Sequence, residues 1–251
     1  MTGPTRVPPD WISVIVPALN EQATIAPVVA AVPREFAHEV IVVDNGSDDD
    51  TANRARDAGA RVVQEPRRGY GRACRAGLEA VDPRCTIVAF MDGDGSDCPE
   101  LIGRLVHPIL AGQCDFVVGS RLRGRREPGS MEVAQVIAGR CAGFLLRACY
   151  GVQYSDMCPF RAIRRKSLER LRMRSETYGW NLEMQMRAAR AGLRILEVPV
   201  DHRRRRGGSS KVSGTVRGTL LAGIGVLTTF ACVAFERTEP PHVTQISTSR
   251  G

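Results

Sequence analysis

Residues 11–21 read WISVIVPALNE, and residues 39–50 read EVIVVDNGSDDD. In each, a short β-branched run breaks into turn formers and a helix-compatible stretch follows, the alternation that builds a parallel sheet. Working outward, Arg61–Val63 reads as a third, short strand, Thr86–Met91 (TIVAFM) as a fourth and Asp115–Gly119 (DFVVG) as a fifth. The stretches 21–32, 48–58, 70–81 and 99–111 fit the helices between them. The first half therefore predicts an α/β chain with a mostly parallel, doubly wound sheet. Ligands of such sheets collect beyond the carboxyl ends of the strands, so the residues just after each run carry the chemical interest.

After Gly119 the pattern loosens. An Arg/Gly loop (RLRGRREPG, 121–129) leads to a helix over 131–149, a turn over 151–159, a helix over 178–191 and a last strand over 193–200. Next come a basic loop, HRRRRGGSSKVSG (202–214), and 18 uncharged residues, GTLLAGIGVLTTFACVAF (218–235). This divides the chain into a disordered N-terminus (1–10), one domain (11–217), an apolar helix (218–235) and a disordered tail (236–251). The apolar stretch is shorter than the ~20 residues that span a bilayer core. Following a basic loop, it reads as a helix docked at the membrane interface; a core helix packed on the domain and a marginal single span are the alternatives.

The net charge of +8 is unevenly spread: residues 1–100 carry 10 basic and 16 acidic side chains, residues 101–251 carry 25 and 11. An acidic half facing a basic half suits a site where carboxylates hold a cation and arginines hold an anion, with two differently charged solvated surfaces as the alternative. Nucleic acid is disfavoured, because no stretch interleaves its few aromatic residues with basic ones. The eight cysteines form no CxxC pair and have no histidine at zinc-finger spacing, so they read as reduced thiols. Met1–Asp10 lacks the apolar core of a signal peptide, which points to the cytoplasmic side of the membrane.

The strongest chemical signal is FMDGDGSD, residues 90–97, where Asp92, Asp94 and Asp97 crowd the end of a buried strand. A divalent cation relieves their repulsion, and hard Mg²⁺ or Mn²⁺ takes one or two carboxylates with water and phosphate oxygens completing its shell. Asp92 and Asp94, two apart in extended backbone, point the same way. Asp97, just before Pro99 and Glu100, reads instead as a helix cap. The segment is not an EF-hand, since Gly103 stands where the twelfth-position Glu belongs. No GxGxxG follows the first strand, and no Walker loop is present.

Taken in order, VPALNE (16–21), VVDNGSDDDT (42–51), RRGYGRACRAG (67–77), MDGDGSDCPELI (91–102), GSR (119–121), FRAIRR (160–165) and GGSSKVSG (207–214) resemble family 2 glycosyltransferases of the GT-A fold. The similarity is greatest to the polyprenyl-phosphate, or dolichyl-phosphate-type, mannosyl- and glucosyltransferases, and runs from about Trp11 to Gly218. The resemblance implies an inverting transfer of a hexose from a UDP- or GDP-sugar to a lipid phosphate, with Mg²⁺ or Mn²⁺, at the cytoplasmic membrane face. It places Pro17, Leu19 and Glu21 at the nucleotide and Val43, Asp44 and Asn45 at base and ribose. Asn45 departs from the Asp usual there, which leaves guanine and uracil both open. Met91, Asp92 and Gly93 fall under ribose and diphosphate, with Asp94 as principal metal ligand, Asp92 beside it and Ser96 near the metal. Arg121 matches an arginine that reaches the donor phosphate. Arg205 and Lys211 match basic residues of a loop that closes over the diphosphate, with Gly207–Ser210 as its hinge.

Those cations suit the reaction, because the departing nucleoside diphosphate gains negative charge in the transition state. The alternative for the HRRRR run is a solvated or lipid-facing charge cluster. Transfer to a hydroxyl needs a carboxylate base, and Asp156 and Glu183 are the candidates the resemblance offers. A phosphate acceptor, with a second pKa of ~6, is already a nucleophilic dianion and needs none. Cys158-Pro159 makes the turn after Asp156 one residue shorter than the family's. Other readings are a soluble hydroxyl acceptor and a degenerate domain that binds nucleotide without turnover.

Overall fold

The order of the strands in the sheet decides where the site lies. The computed structural model describes residues 10–207 and 228–236. The first three strands are β1 (Trp11–Ala18), β2 (Glu39–Asp44) and β3 (Arg61–Gln64), and their helices are α1 (Ile25–Ala30), α2 (Thr51–Asp57) and α3 (Tyr70–Ala80). β4 (Cys85–Phe90), a 3₁₀ turn (Pro99–Leu101), α4 (Ile102–Leu110) and β5 (Phe116–Ser120) complete the pattern read from the sequence. α5 (Val133–Tyr150), α7 (Trp180–Arg190) and β7 (Ile195–Pro199) also lie where the periodicity put them.

Among the described residues the sheet has seven strands, in the order β3-β2-β1-β4-β6-β5-β7 with β6 at Arg161–Arg164. β2 is flanked by β1 and β3, and β1 by β2 and β4, all parallel, as β5 is with β7. The doubly wound reading needs one correction: β6 (Arg161–Arg164) runs antiparallel between β4 and β5, followed at once by α6 (Arg165–Leu171). Only four residues long and charged at both ends, RAIR lacks the alternation that marks a strand. It pairs because both its edges find central strands.

α1 begins later than the stretch 21–32 suggested, since residues 21–24 form a turn whose Glu21 carbonyl accepts the Ile25 N–H. The core is continuous across the sheet: Val14, Ile15, Val16, Ile41, Val42, Val43, Ile87 and Val88 are fully buried, as covered strands on both faces require. All eight cysteines are free thiols. Residues 228–235 are helical, and Val233 is buried while Arg190 on α7 binds the Val233 and Glu236 carbonyls. Residues 1–9, 218–227 and 237–251, together with Lys211 and the hinge residues 208–210, lie outside the described residues. No helix among the described residues is long and apolar enough to cross a membrane.

Candidate active site

The loops after β1, β2 and β4 are laced together by their own polar residues. Asn20, at φ 53°, takes the left-handed turn that an Asx side chain tolerates, and its amide oxygen accepts the Asp48 N–H. Its backbone N–H donates to Ser47 Oγ, and that of Glu21 to Thr51 Oγ1. Asp44 accepts the Ser47 N–H. Pro17 and Leu19 are half-buried on this rim. Val43 and Met91 are fully buried, so their side chains belong to the core, not to a bound nucleotide.

Asn45 is likewise spent on the chain itself. Its amide nitrogen donates to the Glu65 and Arg67 carbonyls, and its oxygen accepts the Gly69 N–H. An aspartate could accept but not donate here, which accounts for the departure without reference to the base. The neighbouring Gly-Tyr-Gly serves packing: a Cβ on Gly71 would sit 2.1 Å from the Ser175 carbonyl oxygen.

Beyond β4 the acidic cluster is buried and tightly organised. Gly93 lets the chain pass Pro17 and Ile25, and its carbonyl accepts the Thr24 hydroxyl. Tyr70 donates its hydroxyl to Asp92 at 3.2 Å. Loss of hydration, then the charges of Asp97 and Asp94, push the Asp92 carboxyl well up. Asp97 does not cap the following helix; Cys98 occupies that position, and Asp97 Oδ2 accepts the Asp92 N–H at 3.0 Å. Burial raises the Asp97 pKa to about 7, against the opposing effect of that hydrogen bond. Burial also works to raise Asp94, but Arg205 and the Ser96 N–H outweigh it and hold this carboxylate below its ordinary value.

The basic loop 202–206 lies along this cluster. The Arg203 N–H donates to the Ser96 carbonyl and the Arg206 N–H to the Asp94 carbonyl. Arg205 bridges Asp94, 2.8 Å away, and Glu21, 3.4 Å away, joining the β4 loop to the β1 loop. Ser96 is buried between the two segments. Arg203 pairs with Glu100 and the Arg204 guanidinium lies beside Gly129, whereas Arg205 turns inward to the acidic cluster.

His202, missed in the sequence, is buried at this centre. Its Nδ1 and Asp97 Oδ1 lie 3.9 Å apart, and neither has a hydrogen-bond partner among the described residues. Burial, then the Arg121 charge, lowers its pKa to about 4, which leaves the ring neutral at pH 7. Its signal in the sequence was a histidine heading a basic loop, read there as part of a charge run.

The described residues contain no group of three or more His, Cys, Asp or Glu positioned to hold a metal by themselves. That fits Mg²⁺ or Mn²⁺ sharing its shell with a ligand's phosphates, which needs only one or two carboxylates from the protein. Hard oxygens on Asp92 and Asp94 supply such a partial set.

Across the site the two candidate bases are committed elsewhere. Asp156 is 2% exposed and grips Arg121 through both oxygens, at 2.7 and 2.8 Å, while accepting the Arg121 and Met157 N–H groups. Burial favours its neutral form, but the Arg121 hydrogen bonds and charge prevail and its pKa falls. Arg121 is correspondingly tied to Asp156, its pKa raised by that hydrogen bond in spite of burial. Glu183, also 2% exposed, accepts the Arg174 and Ser175 N–H groups and pairs with Arg187 at 2.7 Å. It holds the loop before α7 in place.

An open sheet with acidic turns at the carboxyl ends of its parallel strands, faced by an arginine loop, defines an α/β protein that binds a phosphorylated ligand with a cation. The chain belongs to glycosyl transferase family 2, which matches residues 13–172. It is 39% identical over 220 residues to an uncharacterized glycosyltransferase of Mycobacterium tuberculosis, covering 85% of this chain and 94% of that one. It is 33% identical to a dolichyl-phosphate hexose transferase of Haloferax volcanii, over 79% of this chain and 85% of the relative. An undecaprenyl-phosphate mannosyltransferase of Micrococcus luteus is 31% identical, over 84% and 90%. The fold is GT-A: it matches the crystal structure of Mycobacterium tuberculosis glucosyl-3-phosphoglycerate synthase with Mn²⁺, UDP-glucose and phosphoglyceric acid, with a TM-score of 0.72 and 27% identity over 90% of this chain and 80% of that one.

Proposed function

We propose that this family 2 glycosyltransferase is a metal-dependent, inverting enzyme that moves a hexose, mannose or glucose, from a UDP- or GDP-sugar to a polyprenyl-phosphate-type lipid at the cytoplasmic membrane face. The observation that carries the acceptor class is the state of Asp156. A carboxylate locked to Arg121 with a lowered pKa is a weak base, and Glu183 is committed to backbone N–H groups. An acceptor that arrives already ionised needs neither. The names of the Haloferax and Micrococcus relatives agree with it.

In this reading a phosphate oxygen of the acceptor attacks the anomeric carbon while the bond from that carbon to the donor diphosphate breaks. The electron pair leaves with the nucleoside diphosphate. Arg205, held over Asp94 and Glu21, is placed to stabilise the charge that develops there, and we assign Lys211 the same role. Asp92 and Asp94 would hold the cation, with Ser96 beside it; when bound, it would neutralise diphosphate oxygens as a Lewis acid. Tyr70 keeps Asp92 oriented. Asp156 positions Arg121 toward the sugar or donor phosphate. The loops carrying Pro17, Leu19, Glu21, Asp44 and Gly93 form the nucleotide's bed.

A second reading is favoured by the match to glucosyl-3-phosphoglycerate synthase, whose crystals hold the soluble phosphoglyceric acid. There a hydroxyl would attack and a base would be required. The test is a donor screen with Mn²⁺ or Mg²⁺, following UDP and GDP release with and without a short polyprenyl phosphate. Lipid-stimulated release from one donor is expected. Metal-dependent release that ignores the lipid but responds to phosphoglycerate would select the second reading, and binding without release would make the domain degenerate.

A further inference from the structure

α5, VAQVIAGRCAGFLLRACY, contains two arginines and no acidic residue. At about 100° per residue, Gly139, Ala142, Gly143 and Leu146 share one arc of the helix, and all four are buried. Val133, Ile137 and Phe144 lie on the opposite arc and are 75, 56 and 72% exposed, with Leu145 beside them at 41%. Arg140 and Arg147, both exposed, share one edge of this apolar stripe.

The buried arc faces the site. A Cβ on Gly143 would lie 2.0 Å from the Tyr154 carbonyl oxygen, and one on Gly139 would lie 3.8 Å from Asp156 Oδ1. α5 is thus a wall a single helix thick, ~10 Å, between Asp156 and the exterior. The 228–235 segment, whose Phe235 is 86% exposed, is tied through Arg190 to α7, the helix on which α5 packs.

We propose that the outer face of α5 docks on an anionic lipid bilayer, which rests on the lipid-acceptor reading above and locates the acceptor's side of the site. Charge decides for a membrane over a second copy of the chain. A two-fold pairing of α5 would bring Arg140 and Arg147 against their like, with no carboxylate within 133–150 to neutralise them, and Glu132 is engaged with Gln135 in the helix's capping box. Anionic headgroups supply the missing charges, and the headgroup–acyl boundary receives Ile137 and Phe144. Docked this way, the bilayer meets the wall of the site directly, and a lipid phosphate reaches it without leaving the headgroup layer.

The test is co-sedimentation of the full chain with phosphatidylcholine vesicles, with and without phosphatidylglycerol. The wild-type chain should bind the anionic vesicles, and Ile137→Ser with Phe144→Ser should weaken binding at least tenfold. Arg140→Gln with Arg147→Gln should weaken it ~30-fold on anionic vesicles and leave neutral vesicles unaffected, at about 1 kcal/mol for each lost cation. Unchanged thermal unfolding and nucleotide affinity would show both variants folded. Wild-type binding absent, or indifferent to both pairs, overturns the proposal, as does a wild-type dimer that the Ile137/Phe144 variant converts to monomer. Transfer to a short polyprenyl phosphate in detergent separates the two readings. Transfer retained without vesicle binding overturns docking alone, whereas vesicle binding lost in the variants together with transfer only to a soluble hydroxyl overturns the lipid acceptor and leaves docking supported.

Discussion

The two halves of the site treat buried charge in opposite ways. Beyond β4, Asp92 and Asp97 have no arginine ion pair among the described residues, and both carboxyls are pushed up. Around β5, β6 and α7 the buried carboxylates are each matched to a cation, Asp156 to Arg121 and Glu183 to Arg187. Carboxyls that hold their protons for want of a counter-charge ionise when a cation arrives, so the β4 side has the character of a site that receives a cation and a diphosphate. The paired side is architecture, its carboxylates holding the arginines in place.

The comparison is broken most severely by Asp94→Ala, which should cut sugar transfer ~10³-fold while Tm stays within a few degrees. Full turnover at saturating Mn²⁺ would remove Asp94 from the metal's shell. Asp156→Ala should act mainly on the other axis, leaving the Arg121 guanidinium buried and unpaired at a cost of about 3–5 kcal/mol in urea unfolding. A variant equally stable but inactive would instead make Asp156 the base. Arg205→Ala, in the leaving-group role proposed for it, should lower kcat ~10²-fold and cost some stability as well, since Asp94 and Glu21 lose their arginine partner.

Asn45→Asp sharpens the comparison at the base end of the site. Loss of two donated hydrogen bonds to Glu65 and Arg67 should cost about 1–3 kcal/mol, yet the ratio of turnover with UDP- and GDP-sugars should stay constant. A shifted ratio would return Asn45 to the nucleotide. The smallest effect belongs to Asp82, far from the cluster, whose bond to Arg84 lowers its pKa to about 2. Because the unfolded chain takes up that proton first, the pair's contribution is complete above pH 4 and disappears between 4 and 2. Asp82→Asn should therefore leave Tm nearly unchanged at pH 7 and coincide with wild type near pH 2.

The residues that could be placed in advance were those whose role is local. WISVIV and EVIVV are strands by composition and covering, and DGDGSD sits at the end of β4 because the next residues cannot continue a strand. Asp92 and Asp94 read as a pair in extended backbone, whereas residues 93 and 94 lie in a turn. β6 was illegible because its pairing depends on β4 and β5, not on its own four residues. Asn45 and Glu183 looked like ligand or catalytic groups until their backbone partners came into view.

From the sequence alone came the α/β alternation, the family, and the acidic motif that a diphosphate-bound cation would need, because strand periodicity and crowded carboxylates act over a few residues. Only the tertiary structure decided that Asp156 serves Arg121, that Arg205 turns inward while Arg203 and Arg204 do not, that His202 sits buried beside Asp97, and that one face of α5 is apolar and exposed. Those outcomes join positions from 35 to 111 residues apart, and what a charged or apolar side chain does is fixed by burial and by the group it meets there.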